Sequence, residues 1–253
     1  MGFIDIRNLN YGHKHNKILQ NININFNKGK FYAIVGPNGS GKSTLLKNII
    51  KALEPTLGEI LLEGKNISAL DAKYMASKIS YVPQNTYIEL EFTCLDVVMM
   101  GNSHRLRVFQ NESKEQIASA YEAMKKLEVY NLKDKLVTEI SGGERQRVIL
   151  ARAIAQDASC IILDEPISHL DIKYQIIVLK ELQELKKNGK TIISVLHDLN
   201  FTLDYADNVI LMKNGCIYDF GEAIDVITSG NLKAVYDVDG EIIKLNNKSQ
   251  IVF

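Results

Sequence analysis

Only three cysteines, Cys94, Cys160 and Cys216, occur in 253 residues, far apart and without the spacing of metal ligands. A sparse, odd set excludes a disulfide framework and predicts reduced, mostly buried thiols in a cytosolic protein. Net charge is missing too: lysine plus arginine equal aspartate plus glutamate at 30 each, a formal balance of +0. No global field then favours DNA, RNA or an anionic bilayer, and nucleic acid is not an expected partner. No apolar run approaches the roughly 18–20 residues that span a membrane. The start, Met1 to Arg7, meets charge too early for a secretory signal, and Ile6 stands where a myristoylation motif needs Ser or Thr. Any membrane association is expected to come through a protein partner. Internal repeats and low-complexity stretches are absent. So is a guanine-reading Asn-Lys-x-Asp, because Asn131-Leu132-Lys133-Asp134 has the wrong order.

What is present is an ordinary globular composition, 46% hydrophobic and 24% charged, long enough for one large α/β domain with an inserted subdomain. Its most informative stretch is Gly36-Pro37-Asn38-Gly39-Ser40-Gly41-Lys42-Ser43-Thr44, which fits G-x-x-x-x-G-K-[ST] and directly follows the apolar run Phe31–Val35. Strand, glycine loop and a helix beginning near Lys42 form the context a phosphate cradle needs. The glycines permit backbone angles a Cβ would forbid, so successive N–H groups can converge on one anion. The helix adds its positive end, roughly half an elementary charge. Lys42 supplies a mobile charge for the β and γ phosphates, and the Ser43 hydroxyl can ligate Mg²⁺. A structural glycine turn would match these four fixed positions by accident in well under about one chain of this size in a hundred. The stretch predicts nucleoside triphosphate binding.

Along the chain, residues 18–26 alternate strictly from Asn21 onward, the period of a half-buried antiparallel strand. Gly58 to Gly64 continues that antiparallel signal. Segments 93–101, 112–128 and 143–156 show helical spacing. The runs 160–163, 191–196 and 209–212 are continuously apolar, as in a parallel sheet buried on both faces, and a helix over 172–187 separates the first two.

The strand Cys160–Leu163 ends in Asp164-Glu165-Pro166. Acidic residues at the carboxyl end of a buried parallel strand sit where doubly wound sheets bind ligands. Asp164 is placed to hold Mg²⁺, directly or through water, and Glu165 to polarise an attacking water. Alone, the pair could equally be capping chemistry. Ser141-Gly142-Gly143-Glu144-Arg145-Gln146-Arg147 opens a helix, with Ser141 and Glu144 spaced as a capping box. A cap and a phosphate contact are compatible there, since both use free N–H groups.

That segment resembles the signature sequence of ATP-binding cassette (ABC) ATPases, with Glu144 replacing the commoner Gln, and the likeness runs from about Tyr11 to Ala223. The resemblance implies a P-loop NTPase fold, α/β with a RecA-like, largely parallel core. To this it adds an N-terminal antiparallel β subdomain and an inserted helical subdomain. The divisions implied are 1–85 with 159–230 for the core, 86–158 for the helical part, and 231–253 as a C-terminal extension, a turn or strand without assigned chemistry. Tyr11 lies where the family stacks an aromatic on adenine. Gln84 resembles the Q-loop glutamine that reaches Mg²⁺ and the attacking water. Ser168-His169-Leu170-Asp171 looks like the D-loop, which contacts the other subunit, and His197 like the switch histidine at the γ-phosphate. His13, His15 and His104 fit no pattern and are expected at the surface.

The family implies a homodimer closing over two ATP. Ser141, Gly142, Gly143 and Glu144 of one copy would meet the ATP and Mg²⁺ held by the other. Catalysis would fall to Glu165, His197, Gln84 and Lys42, and the metal to Ser43, Gln84 and Asp164. Separate integral-membrane permease subunits would dock near Gln84 and 86–110, placing the chain on the cytoplasmic face of the membrane. An extracellular or periplasmic binding protein would be an indirect partner. Thr93 to Val98, Glu165 to Ile172 and His197 to Asn200 resemble ATPases of importers for iron–siderophore complexes, haem and cobalamin. Ile167 stands where Thr is common, and Asn102-Ser103-His104-Arg105 departs from the relatives after Gly101. A soluble ABC ATPase of iron–sulfur assembly and the motor of an exporter are the alternatives.

Overall fold

The computed structural model describes residues 2–13, 16–85, 91–105, 112–245 and 248–252. The expected docking segment 86–110 falls partly, and His15 wholly, outside the described residues. In chain order the elements are β1 (Ile4–His13), β2 (Asn16–Phe26), β3 (Phe31–Val35), α1 (Lys42–Ile49), β4 (Leu57–Leu62), β5 (Lys65–Asn66), α2 (Ala72–Lys78) and β6 (Ile79–Val82). There follow α3 (Cys94–Met99), α4 (Lys114–Lys126), α5 (Gly142–Ala155), β7 (Cys160–Asp164), α6 (Ile172–Lys187) and β8 (Thr191–Val195). The chain ends with α7 (Leu199–Tyr205), β9 (Asn208–Lys213), β10 (Cys216–Glu222), α8 (Ala223–Val226), α9 (Ser229–Tyr236), β11 (Glu241–Leu245) and β12 (Lys248–Val252).

Two compact units result: Met1–Leu70 with Thr191–Phe253, and Asp71–Lys190. The division expected by resemblance falls at 85/86 and 158/159, whereas the compact units divide at 70/71 and 190/191.

In the first unit an antiparallel sheet runs β2-β1-β4-β5. The alternation expected over 18–26 is present, with Ile22, Ile24 and Phe26 buried and Asn21, Asn23 and Asn25 exposed. β1, which carries no clean period, was not legible, because bulges interrupt its register on β2 between Ile6 and Leu9 and again around Tyr11. Asparagines repair these breaks: Asn8 and Asn21 adopt φ of 48°, and the Asn23 and Asn10 side chains accept the N–H groups of Asn8 (2.8 Å) and Asn21 (3.1 Å). Beside this sheet, β3 lies parallel to both β8 and β9, and β10 pairs antiparallel with β9. All five residues of β3 and of β8 are buried, as continuous apolar runs require. The C-terminal segment is more structured than a turn or strand: it forms α9, beginning at Ser229, and the β11–β12 hairpin.

In the second unit β6 and β7 pair in parallel, Ile79 with Cys160 through Val82 with Leu163. The expected helices appear as α3, α4 and α5, each opened by a capping box, although the first stops at Met99 and continues as a 3-10 turn to Arg105. That turn leaves His104 half-buried rather than at the surface, its Nδ1 3.2 Å from the Gly101 carbonyl oxygen. Cys94 and Cys160 are buried, Cys216 is exposed, and all three are free thiols.

Candidate nucleotide-binding and hydrolysis site

The residues singled out by sequence divide between the two units. In the first, β3 runs straight into the loop Gly36–Gly41, and α1 starts at Lys42. Two glycines are obligatory there. Gly36 has φ of 147° and a Cβ on it would lie 2.2 Å from the Met212 carbonyl oxygen; Gly41 caps α1 at φ of 98° with Leu19 2.8 Å from its missing Cβ. The loop is braced by Ser40 N–H to the Pro37 oxygen (3.2 Å) and by Gly215 N–H to the Ser40 oxygen (3.2 Å). The first turn of α1 has no acidic side chain to neutralise its positive end. The Lys42 ammonium is buried and donates to the carbonyl oxygens of Gly36 (2.8 Å) and Pro37 (2.9 Å), which keeps the cation inside the loop. Tyr11, half-buried, sits on β1 opposite Leu19. His197 is exposed after β8, immediately before Asp198, whose carboxylate accepts from Asn200 N–H (2.8 Å) and Phe201 N–H (3.0 Å) to cap α7.

In the second unit the parallel register decides the geometry. Val82 pairs with Leu163, so two residues further on Gln84 meets Glu165, and Nε2 donates to Oε2 at 2.9 Å. The amide nitrogen of Gln84 is thereby committed to the carboxylate, which presents its carbonyl oxygen as a donor for a cation. Asp164 is 2% exposed at the end of β7. Burial, with the Asp164 charge adding to it, pushes the Tyr81 phenol up to about 12. Glu165 adopts φ of 53°, a left-handed conformation costly for a residue with a Cβ. The turn is held by the Ser168 hydroxyl, which donates to the Glu165 carbonyl oxygen at 3.1 Å.

The Ser141 tip is exposed, and its capping box is complete: the Glu144 carboxylate accepts from Ser141 N–H (2.9 Å) and Oγ–H (2.8 Å). The Ser141 N–H and hydroxyl hold the Glu144 carboxyl below the usual carboxylate range, so it stays ionised at neutral pH. Gly143 leaves room against Leu170, 3.4 Å from where its Cβ would stand.

One residue in this unit escaped sequence reasoning. Gln146, 3% exposed, donates to the Pro166 carbonyl oxygen at 3.2 Å and so ties the signature helix to the turn after Glu165. Its signal was a polar side chain opening the buried run 146–151, which helical periodicity alone does not mark as functional. Gln146→Ala leaves a buried carbonyl unpaired, at about 1–3 kcal/mol. At roughly 2–4 °C per kcal/mol for a chain of this size, calorimetry should show Tm falling by several degrees. An unchanged Tm would mean that the bond carries no load.

Comparison with known proteins agrees with this assembly of motifs. A family profile described as ABC transporter matches residues 19–168. The petrobactin import ATP-binding protein of Bacillus subtilis is 33% identical over 247 residues, covering 97% of this chain and 97% of that protein. The hemin import ATP-binding protein of Hahella chejuensis is 34% identical, with 89% of each chain covered. Among solved structures, one described as a metal-chelate type ABC transporter in an inward-facing conformation superposes with a TM-score of 0.84 at 29% identity, covering 99% of this chain and 96% of that one. A dimeric ATP-binding cassette in a post-hydrolysis state, bound to ADP and Pi, gives 0.79 at 29% identity, with 87% and 98% covered. With a matching profile over more than half its length and import ATP-binding relatives along nearly all of it, this chain belongs to the ABC transporter family as one of its ATP-hydrolysing cassettes.

Proposed function

We propose that two copies of this chain close over two ATP molecules and power import of a metal chelate through separate membrane permease subunits. The observation that carries the reading is the cassette motif order, kept along a chain whose relatives are named for petrobactin and hemin import. The alternatives, iron–sulfur assembly and export, lack comparable support. Among the described residues no helix is long and apolar enough to cross a membrane. The permease would supply the passage and hold this chain at the cytoplasmic face, with an external binding protein delivering cargo.

In the proposed reaction the loop 36–44 receives the triphosphate through its N–H groups and Lys42, while Tyr11 stacks on the adenine. Ser43, the Gln84 carbonyl oxygen and Asp164 are hard oxygen donors that suit Mg²⁺. When bound, the cation would neutralise charge developing on the phosphates. Glu165 accepts the proton of the attacking water, oriented by its bond from Gln84, and His197 donates to the γ-phosphate. Ser141, Gly142 and Gly143 of the partner copy complete the enclosure. Hydrolysis removes the phosphate that bridges the copies, so opening follows. Transport by proteoliposomes holding the co-purified permease tests the proposal: ATP-driven uptake of a ferric siderophore, haem or cobalamin supports it, and a partner without spanning segments overturns it.

The ionised Glu144 makes a sharper test. A carboxylate at the tip opposes the γ-phosphate of the other copy, whereas glutamine keeps the capping box without the charge. Two like charges several ångströms apart at an intermediate effective dielectric repel by roughly 1 kcal/mol. With one such pair at each of the two sites, Glu144→Gln should therefore tighten ATP-dependent dimerisation about tenfold to a hundredfold in sedimentation. A weaker dimer would contradict this role.

A further inference from the structure

Under the proposed function Tyr11 on β1 takes the adenine and the loop after β3 takes the phosphates. The two strands belong to different sheets, so the spacing between base and phosphate sites has to be fixed by something else. The β9–β10 hairpin supplies that connection. Lys213 pairs with Cys216, which leaves Asn214 and Gly215 as a two-residue turn with φ of 50° and 77°. Both central residues of such a turn need positive φ, and Asn-Gly is the favoured pair for it. They also stand outside the ladder between β9 and β10, so their backbone groups are available to other strands.

Gly215 uses both of its backbone groups. Its N–H donates to the Ser40 carbonyl oxygen of the phosphate loop at 3.2 Å, and its carbonyl oxygen accepts from Gln20 N–H on β2 at 2.8 Å. The Gln20 side chain adds a third bond, from Nε2 to the Asn214 carbonyl oxygen at 3.3 Å. Here β2 departs from regular pairing: β1 advances from Leu9 to Tyr11 while β2 goes back from Ile22 to Leu19, one residue more. The extra residue falls at Gln20–Asn21 and releases the Gln20 N–H from the ladder for Gly215. Leu19, opposite Tyr11, reaches the start of α1, its Cδ2 2.8 Å from where a Cβ on Gly41 would stand. Gly215 is buried and has no room for a side chain, because a Cβ would lie 2.3 Å from the Ile18 carbonyl oxygen.

We propose that Gly215 is a positioning residue for nucleotide binding: its two backbone bonds fix the strand pair carrying Tyr11 at a set distance from the phosphate loop. Two linked groups on one ligand reinforce each other only while the sites that take them keep the matching separation. With the spacing held, adenine and phosphates are gripped together. With β2 pushed off the turn, a nucleotide seated in the loop no longer meets Tyr11, whereas a bare phosphate chain loses nothing by that displacement. The inference rests on the reading that the loop binds phosphates and Tyr11 stacks on the base.

The test measures, in the full chain, the preference for ADP over inorganic pyrophosphate, each titrated by displacement of a fluorescent nucleotide. Gly215→Ala forces its methyl against Ile18, and should cut that preference about threefold to tenfold, the worth of one to two lost hydrogen bonds. Gln20→Met keeps the side-chain length without the donor to Asn214, and should cut the preference by about twofold to threefold. Gly29→Ala is the control: its φ of 72° makes alanine equally strained, but nothing lies within 4 Å of the added methyl. It should lower Tm and leave the preference where it was. A folded Gly215→Ala with the wild-type preference overturns the proposal, as does an equal loss in Gly29→Ala. If Gly215→Ala does not fold, Gln20→Met decides, and an unmoved preference there overturns it. Tyr11→Ala separates the two failures. An unchanged preference in Tyr11→Ala would sink the stacking reading itself, whereas a lost preference there with normal Gly215→Ala and Gln20→Met would sink only the role of the turn.

Discussion

Glu165→Gln is expected to keep ATP binding, to cut turnover by about 10²–10⁴-fold, and to trap a stable dimer with ATP. The magnitude is the usual contribution of a positioned general base. The structure explains why this substitution isolates the chemistry. Glu165 receives the Gln84 Nε2–H at 2.9 Å, and a glutamine carbonyl at 165 can accept the same bond. The left-handed backbone at 165 is no harder for glutamine than for glutamate, so the turn held by Ser168 should survive. Only the ability to take a proton is lost. Single-turnover hydrolysis and sedimentation with ATP check the result together. Turnover within about threefold of wild type would remove Glu165 from the base role, and a monomer with intact ATP would remove the closed pair.

The second large effect is expected at Lys42. Its ammonium is buried, with hydrogen bonds to the Gly36 and Pro37 carbonyl oxygens, and under the proposed function it is the cation offered to the β and γ phosphates. A hydrogen bond to a charged group contributes about 1.5–3 kcal/mol, which corresponds to roughly 10–150-fold in affinity. Lys42→Ala should weaken ATP binding by that factor in fluorescent-nucleotide titration. It should also lower Tm without nucleotide, because two loop carbonyls lose a donor. Lys42→Arg restores the charge but not the fit of a compact ammonium, so it should recover only part of the affinity. Unchanged binding in Lys42→Ala would contradict the cradle.

The parts of the fold that were legible share one property: their signal is local. Alternation from Asn21 to Phe26 predicted a half-buried strand, and burial follows it residue by residue. Glycine spacing after an apolar pentad predicted the loop and the start of α1 at Lys42. Helical periodicity found α4, α5 and α6, and the Ser141–Glu144 spacing found its capping box. β1 was missed because its bulges break the period by which strands are recognised, and α9 because eight residues beyond the family likeness carry little pattern.

What the sequence by itself determined is the chemical inventory: a glycine loop ending in a lysine, acids closing a buried strand, and a serine-diglycine helix start. Each is written in consecutive residues whose backbone needs or charges act within one turn. Only the tertiary structure decided which of these touch. The parallel register of β6 on β7 brings Gln84 to Glu165 across 81 positions, and the course of the C-terminal segment brings Ile251 to Asn200 across 51. No local period encodes such pairings, because they follow from how separately folded strands and helices fit together once their apolar faces are buried.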